Sequence, residues 1–492
     1  MYNPASSRAE EFISHSEIEA TIEYAKANRH NRELIESVLR RAERAEGLTH
    51  REALLLVECT DEALVERVYC LAERLKRRFY GDRVVMFAPL YLSNYCVNGC
   101  LYCPYHIKNR RIPRKRLTQE EIRREVIALQ DMGHKRLALE AGEHPTLNPI
   151  EYILESIETI YSIKHRNGAI RRVNVNIAAT TVENYRRLKE AGIGTYILFQ
   201  ETYNRENYER LHPTGPKSDY AYHTEAMDRA MEGGIDDVGI GALFGLNTYR
   251  YDFVGLMMHS EHLVARFGVG AHTISLPRIC AADDVDTADY PDALSDDLFC
   301  RLVAVARVAL PYSGMIISTR ESRAVRERLL RLGVSQLSGG SRTSVGGYAE
   351  GAEGAEGAEG AEGAKGAEGA EATETEDSSQ FEVSDRRTLD EVVAWLVALG
   401  YVPSFCTACY REGRTGDRFM SLVRSGQIAN CCAPNALMTL KEYLCDYASQ
   451  GCRAAGEQLI AEQLRAIPND RVRTKTAANL DNIERGKRDF RF

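Results

Sequence analysis

Eight short apolar runs, each rich in β-branched residues, alternate with helical segments through the middle of the sequence. The intervening segments carry capping-box starts, such as Thr118-Gln-Glu-Glu, followed by apolar residues at helical spacing. Strands that alternate with helices favour a parallel sheet, and eight repeats are typical of an α/β fold closed into a (β/α)8 barrel of the TIM type. The runs start at Arg83, Arg136, Arg172, Gly194, Asp237, His272, Gly314 and Ser335.

The sequence outside these runs predicts three further parts. In chain order we expect an N-terminal helical extension (1–80), the barrel (81–345), an acidic insert (346–385) and a C-terminal helical module (386–492). The centre of the insert, Gly351 to Glu371, repeats the triplet Gly-Ala-Glu. This composition has too little apolar surface for a core, and a glycine in every triplet opposes helix formation. We therefore expect a solvated linker that is dispensable for activity.

Charge and composition exclude several classes of partner. The formal net charge of −8 comes mainly from the acidic insert, and the rest of the chain is close to neutral. A near-neutral surface gives no reason to expect a nucleic acid or an anionic membrane as partner. No signal peptide or membrane-spanning apolar run is evident, and several of the 13 cysteines have metal-ligand spacing. We therefore predict a cytoplasmic protein with reduced cysteines.

Cys96, Cys100 and Cys103 form a Cys-x3-Cys-x2-Cys triplet in the loop after the first predicted strand. Three thiolates so spaced can hold three irons of a 4Fe-4S cluster and leave the fourth open to a substrate or cofactor. The alternatives are a zinc site with His106 as the fourth ligand, or three unrelated buried thiols. The spacing resembles that of the radical S-adenosylmethionine (SAM) superfamily, in which the open iron binds the amino and carboxylate groups of SAM.

The carboxyl ends of the later strands supply candidates for SAM binding, because the catalytic face of such a barrel lies there. Gly142 and Glu143 end the second strand, where many members of the superfamily carry a Gly-Gly-Glu that holds the SAM amino group; here the motif is Ala-Gly-Glu. Gly239 and Gly241 on the fifth strand allow adenine to approach the backbone, although close strand packing explains them nearly as well. Candidates for ribose or methionine contacts are Asn176, Gln200 and Glu201.

A second group of cysteines lies in the predicted C-terminal module. Cys406, Cys409 and Cys432 give the pattern Cys-x2-Cys-x22-Cys, and the adjacent Cys431 leaves the third ligand open to a shift of one residue. Together with the first triplet, this pattern resembles the HydG family of tyrosine-lyase maturases of FeFe-hydrogenase. The neighbouring segments agree, among them Ser404-Phe-Cys-Thr-Ala-Cys-Tyr-Arg. The likeness spans roughly residues 20–465, apart from the acidic insert.

The resemblance implies a reaction and its cofactors. A 5′-deoxyadenosyl radical is expected to cleave L-tyrosine to p-cresol and dehydroglycine. The cofactors implied are two 4Fe-4S clusters, SAM, an additional labile iron at the second cluster and a free L-cysteine that links them. Dehydroglycine is then converted to CO and cyanide, which build an iron–CO–cyanide–cysteine precursor of the hydrogenase H-cluster. The partners implied are a reductant such as a flavodoxin or ferredoxin and other hydrogenase maturation proteins.

The additional iron needs a ligand from the protein. His272 is the first candidate, because imidazole suits iron and the start of the sixth strand faces the barrel end opposite SAM. His259 and His262, on the preceding predicted helix, are the alternatives, although their spacing also fits a surface stripe of that helix. A histidine bonded to backbone would equally explain His272.

The carboxylate of L-tyrosine needs a fixed cation, and the planar guanidinium of arginine suits it. Arg320, at the end of the seventh predicted strand, is the first candidate, and Arg323 in the following turn is the second. Arg278 is less favoured. A structural ion pair would explain each of these arginines about as well.

Two other functions stay open from the sequence. The thiamine-pathway tyrosine lyase, 2-iminoacetate synthase, shares the barrel and the first chemical step but has no second cluster of this type. A non-catalytic iron–sulfur scaffold would explain the clustered cysteines, but not the Gly-Glu motif, the barrel or the strand-end arginine.

Overall fold

The computed structural model describes residues 1–351 and 378–492, so the predicted triplet repeat beyond Gly351 lies outside the described residues. In the described part, eight parallel strands close into a barrel in chain order, and the eighth pairs with the first. The predicted (β/α)8 barrel is therefore confirmed. The strands are β1 (Arg83–Ser93), β2 (Arg136–Ala141), β3 (Arg172–Asn176), β4 (Tyr196–Phe199), β5 (Val238–Gly241), β6 (Thr273–Ser275), β7 (Gly314–Ile317) and β8 (Gln336–Ser338).

Helices cover the outside of the barrel, which is why its strands are buried on both faces. The helix after β1 begins at the predicted capping box, in which the Thr118 side chain accepts from the backbone of Glu121. These barrel helices are α6 (Gln119–Asp131), α7 (Ile150–Ser162), α8 (Val182–Glu190), α9 (Arg205–Leu211), α10 (Tyr220–Thr224), α11 (Ala226–Glu232), α12 (Tyr249–Phe267), α13 (Asp296–Ala309) and α14 (Arg323–Leu332).

The N-terminal helices form a layer against one side of the barrel. The fourth and fifth of them pack on α13, and the second and fourth pack on α12. Phe12 stacks on His262 with a ring-centroid distance of 3.7 Å, which anchors the first helix to α12. This layer consists of α1 (Ala9–Phe12), α2 (His15–Asn28), α3 (Arg32–Ala42), α4 (His50–Glu58) and α5 (Glu62–Tyr80).

The C-terminal module is joined to the barrel by a strand that the sequence pattern did not predict. This strand, β9 (Val402–Ser404), pairs with the first residues of β1 in parallel, whereas β2 pairs with β1 only from Ala88 onward. The module thus closes the amino-terminal end of the barrel. Its helices are α15 (Leu389–Ala398), α16 (Ala408–Arg411), α17 (Gly416–Arg424), α18 (Ala429–Asp446), α19 (Gln450–Ala466) and α20 (Asp470–Glu484).

Both ends of the segment predicted as an insert pack onto the barrel. Tyr348 is buried and its backbone nitrogen donates to Glu125 at 3.1 Å. Asp385 is buried and pairs with Arg326 and, at 2.6 Å, with Arg387. The acidic composition of the repeat concealed these contacts, because they involve only the few residues that flank it. No helix in the described residues has the length and apolarity needed to cross a membrane.

Candidate active site and second metal centre

The first cysteine triplet lies in a loop that the barrel holds firmly at its carboxyl-terminal end. The Asn94 side chain donates to the carbonyl of Pro113 at 2.8 Å and accepts from the backbone of Lys115 at 2.8 Å. The Arg114 guanidinium donates to four loop carbonyls, including that of Tyr105 at 2.9 Å. These bonds tie the two ends of the loop together, so the thiols are positioned before any metal binds.

Cys96, Cys100 and Cys103 line one cavity. Burial raises the pKa of Cys103 to about 12 and also raises that of Cys100, so a metal must displace their protons on binding. His106 bonds to Asp284 at 3.1 Å. Among the residues the structure describes, no three His, Cys, Asp or Glu side chains converge as ligands of a single ion. Three thiols without a fourth protein ligand fit a 4Fe-4S cluster with one open iron better than zinc.

Four of the predicted SAM-binding residues line the same cavity: Gly142, Glu143, Asn176 and Glu201. The Asn98 side chain donates to Glu143 at 2.6 Å and so orients its carboxylate. Gly142 is required by close approach, because a Cβ at this position would lie 2.4 Å from the Tyr95 carbonyl oxygen. Glu201 pairs with Lys217, also on the cavity wall, at 2.7 Å.

Four other predicted residues of this end lie outside the cavity. The Gln200 side chain is buried and donates to Thr224 at 2.8 Å. Added Cβ atoms at Gly239 and Gly241 would lie 2.6 Å from Thr273 and 2.7 Å from Phe199, so both glycines permit close packing between strands. Arg323 is exposed as the first residue of α14. A run of sequence shows that a residue follows a strand, but not which way its side chain points.

Arg320, in contrast, reaches the barrel interior. It lines the first cavity and a second one directly below, and its guanidinium stacks on Phe381 at 3.6 Å from the ring centroid. Arg278 is committed to Glu321 and, at 2.8 Å, to Asp296. No carboxylate in the described part of the chain forms an ion pair with Arg320. Of the three arginines considered, Arg320 is thus the one available to a substrate carboxylate.

The sequence prediction missed Glu140, which lines both of these cavities. Burial raises the pKa of Glu140 to about 8, and the Asn176 side chain donates to it at 2.7 Å. An acid at the end of the apolar strand Arg136-Leu-Ala-Leu-Glu was the available signal, since a charge is rarely buried in a strand without a partner. Carboxyls with strongly perturbed pKa values mark candidate functional sites.

Cys406, Cys409 and Cys432 line a third cavity at the amino-terminal end of the barrel. A hydrogen bond from Cys432 lowers the pKa of Cys409. Cys431 lies outside this cavity and accepts from the Arg414 guanidinium at 3.5 Å. The structure therefore groups Cys432, rather than Cys431, with the other two thiols.

His272 lines this third cavity and is the only one of the three candidate histidines in the described chain to do so. Burial lowers the pKa of His272 to about 4, so its imidazole is neutral near pH 7, as metal binding requires. The other two candidates are buried on α12, where it packs against its neighbours. His259 bonds to Tyr203 at 3.0 Å, and His262 bonds to Asp228 at 2.9 Å.

The third cavity is basic, although Asp237 also lines it. Four arginines line it: Arg83, Arg136, Arg172 and Arg414. Burial, followed by the charge of Arg172, lowers the pKa of Arg136 to about 9. Within the described residues, one terminal nitrogen of Arg83 and the Nε of Arg136 are buried without a hydrogen-bond partner. Buried cations with free donors suit an anionic group, and a thiolate-ligated cluster is one.

The three cavities follow one another along the barrel axis. The upper and middle cavities share Glu140 and Arg320, and the middle and lower cavities share Gln336. The interior of the barrel therefore connects the two cysteine sites through shared walls.

Two family models match the chain: "Radical SAM superfamily" over residues 90–256 and "Biotin and Thiamin Synthesis associated domain" over residues 275–402. The 2-iminoacetate synthase of Escherichia coli (strain K12) is 31% identical over 313 residues, which is 63% of this chain and 80% of that protein. The [FeFe] hydrogenase maturase subunit HydE of Thermotoga maritima is 28% identical over 309 residues, 62% of this chain and 82% of that one.

Two solved structures match nearly the whole chain. The crystal structure of HydG, described as a maturase of the [FeFe]-hydrogenase, has a TM-score of 0.90 and 49% identity over 98% of this chain and all of that one. HydG from Carboxydothermus hydrogenoformans has a TM-score of 0.78 and 36% identity over 96% of this chain and 99% of that one.

The barrel, the cysteine triplet and these matches define a protein of the radical SAM superfamily. Within it, the chain belongs to the HydG family, whose solved members it matches through the C-terminal module as well as the barrel.

Proposed function

We propose that the protein is a radical SAM lyase that cleaves L-tyrosine to p-cresol and dehydroglycine, and that it turns dehydroglycine into CO and cyanide at the second cysteine site. The product is an iron–CO–cyanide–cysteine precursor for FeFe-hydrogenase maturation. The observation that carries the proposal is the pair of three-cysteine sites at opposite ends of one barrel, joined by interior cavities. The extent of the match to HydG structures supports it.

At the upper site, Cys96, Cys100 and Cys103 would hold a 4Fe-4S cluster, and Glu143 would hold the amino group of SAM. When bound, this cluster and SAM supply the 5′-deoxyadenosyl radical. Glu143 is well placed, because Asn98 fixes its carboxylate on the wall that carries the cysteines.

Side chains on the wall shared by the upper and middle cavities hold the substrate. Arg320 binds the carboxylate of L-tyrosine, because its guanidinium lies on the wall shared by the upper and middle cavities and has no carboxylate partner in the described chain. Glu140, protonated near pH 7, offers one hydrogen bond to the bound amino acid without adding a negative charge beside its carboxylate. The largely apolar wall contributed by Phe199, Pro277 and Phe381 excludes water from the bond that breaks.

At the lower site, Cys406, Cys409 and Cys432 would hold the second cluster, and His272 would bind the additional iron. A linking free L-cysteine brings a carboxylate, for which Arg83 and Arg136 supply unpaired donors. The enclosed barrel favours an arrangement with both sites in one protein, because CO and cyanide made beside the second site do not pass through solvent before they bind iron.

The test is anaerobic reconstitution with iron and sulfide, followed by assays of 5′-deoxyadenosine, p-cresol and CO after addition of SAM, dithionite and L-tyrosine. The proposal expects all three products. p-Cresol without any CO, from protein that holds two clusters, would favour 2-iminoacetate synthase chemistry, and cluster transfer without 5′-deoxyadenosine would favour a scaffold. The 2-iminoacetate synthase match covers 63% of this chain, against 98% for the HydG structure. This difference favours formation of all three products.

A further inference from the structure

The loop that carries the first cysteine triplet is the most basic stretch of a chain that is close to neutral outside its acidic insert. Between Tyr95 and Leu117 it holds six lysine and arginine residues and no aspartate or glutamate, whereas the formal net charge of the whole chain is −8. A charge bias of this kind on one surface loop attracts a partner of opposite sign.

Four of the six basic side chains are already engaged. Arg114 holds the loop carbonyls, Lys115 pairs with Glu350 at 3.0 Å, Arg111 pairs with Asp284, and Arg116 lies over the ring of Tyr152. Lys108 and Arg110 differ from these four. Both are exposed, and neither has an ion-pair or hydrogen-bond partner for its side chain among the described residues.

The same loop exposes two large apolar side chains. Leu101 is 43% exposed and Ile107 is 48% exposed, and only six large hydrophobic side chains are exposed in the described chain. Leu101 follows Cys100 directly, and the backbone nitrogen of Ile107 is bonded to the carbonyl of Asn98 at 2.8 Å, within the triplet. Apolar side chains among unpaired cations are typical of a surface that binds another protein.

We infer that this surface, formed by Leu101, Ile107, Lys108 and Arg110, is where a small acidic electron-carrier protein docks to reduce the first cluster. The inference rests on the proposed function, which needs one electron for each radical made. The thiols line the interior cavity; Cys100 is buried, and Cys96 and Cys103 are half-buried. A protein reductant that docks on the outer surface of the loop therefore delivers its electron across the loop. The carrier is oxidised by one electron, which the cluster held by Cys96, Cys100 and Cys103 accepts.

An acidic carrier is favoured over a second copy of this chain by charge. Lys108 and Arg110 have no negative partner on their own loop, and copies of the chain meeting at this loop would bring like charges together. The apolar pair supplies the contact area and the two cations steer the encounter, as at other transient interfaces.

The test compares Lys108→Glu/Arg110→Glu with the matched control Arg485→Glu/Lys487→Glu, which reverses two exposed charges in the C-terminal module. Both are made in the full-length reconstituted protein. 5′-Deoxyadenosine is measured with dithionite and, separately, with an acidic flavodoxin kept reduced by its reductase. Binding of oxidised flavodoxin is measured by titration calorimetry, which does not depend on turnover.

With dithionite, both variants should stay within about twofold of the parent, because the cysteines are untouched. With flavodoxin, the Lys108/Arg110 variant should need about tenfold more carrier for half-maximal rate, and its binding should weaken to match. The control should behave like the parent. Added salt should weaken flavodoxin binding by the parent more than by the variant.

Equal flavodoxin binding by the parent and the Lys108/Arg110 variant overturns the docking site. A second variant, Ile107→Ser, tests the apolar part without a charge change and should also weaken binding. A parent that self-associates through this loop, with dimers lost in both loop variants, makes a second copy the occupant and also overturns the inference. If the parent makes no 5′-deoxyadenosine even with dithionite, the proposed function fails, and the calorimetric result still decides the docking site.

Discussion

The two cysteine sites sit at opposite ends of one barrel and differ in how they are built and in the charge around them. The upper site comes from a single loop and faces the carboxylic acids Glu140, Glu143 and Glu201. The lower site is assembled from separate segments of the C-terminal module, and it is lined by Arg83, Arg136 and Arg172 of the barrel and by Arg414 of the module itself. The upper wall balances these acids with Lys217 and Arg320, which suits ligands that carry both charges, whereas the basic lower walls suit anionic ligands.

The sites also differ in what holds their thiols in place. The upper loop is tied internally by Asn94 and Arg114, and backbone bonds from Val97 to Glu143 and from Gly99 to Thr214 fix it to the carboxyl-terminal end of the barrel. The lower site depends on β9, because Cys406 follows this strand, and on Arg136, which donates to the Cys406 carbonyl at 3.1 Å. We therefore expect changes at the two ends to have separable effects.

The largest effect is expected from loss of the upper thiols. Replacing Cys96, Cys100 and Cys103 with alanine removes every ligand that the protein offers the first cluster. 5′-Deoxyadenosine, p-cresol and CO should all fall to background in a product assay by liquid and gas chromatography. p-Cresol that persists in this variant would show that the radical arises elsewhere.

Loss of the lower thiols should split the products. The double change Cys406→Ser/Cys409→Ser should leave p-cresol within a few-fold of the parent, whereas CO falls at least about tenfold, because only the second site is altered. Cys431→Ser is the matched control, since Cys431 lies outside the lower cavity, and it should retain CO release. If p-cresol and CO disappear together in a folded Cys406/Cys409 variant, the two ends are not separable.

His272→Ala tests the same end more gently. It removes the imidazole from the lower cavity but leaves all six thiols in place, so both clusters should still assemble. CO release should fall, with 5′-deoxyadenosine and p-cresol unchanged, and iron analysis should show less than the parent content. His262→Ala would not be a neutral control because that ring packs on Phe12. An unchanged iron content and CO yield would remove His272 from the metal site.

Glu140→Gln should change how the free energy of unfolding depends on pH. The raised pKa of Glu140, about 8, means that its folded carboxyl is protonated at pH 7 while the unfolded one is ionised. Stability from this group is complete below the unfolded pKa and is lost as pH rises towards 8, by about 1.4 kcal/mol per unit. Denaturant unfolding between pH 5 and 8 should therefore show a steeper loss in the parent than in the variant. Equal slopes would mean that Glu140 is ionised in the folded protein.

The smallest effect is expected from removing the repeat. Deleting residues 352–371 keeps Glu350, which pairs with Lys115, and shortens a segment whose composition cannot build a core. All three products should stay within a few-fold of the parent in the same chromatographic assay. A large loss of CO alone would tie the repeat to the lower site.

Local patterns predicted the elements well. Each predicted strand begins within two residues of an observed one, since alternating apolar runs and capping residues act over a few positions. Local patterns did not predict the contacts at the ends of the predicted insert or the strand β9. The contacts of Tyr348 and Asp385 and the pairing of β9 with β1 join residues far apart in the chain, which no local pattern records.

The sequence by itself determined the barrel and both cysteine patterns, because ligand spacing and strand–helix alternation are short-range properties. Only the tertiary structure decided that Cys432 rather than Cys431 faces the lower cavity, and that Arg320 rather than Arg323 reaches the interior. It also brought Glu140 onto the walls of the upper cavities, and three arginines distant in sequence from the lower cysteines onto the wall of the lower cavity. The reason is geometric: the direction of a side chain and its distant neighbours depend on how the strands close and how the helices pack on them, and adjacent residues of a helix or a strand point in different directions.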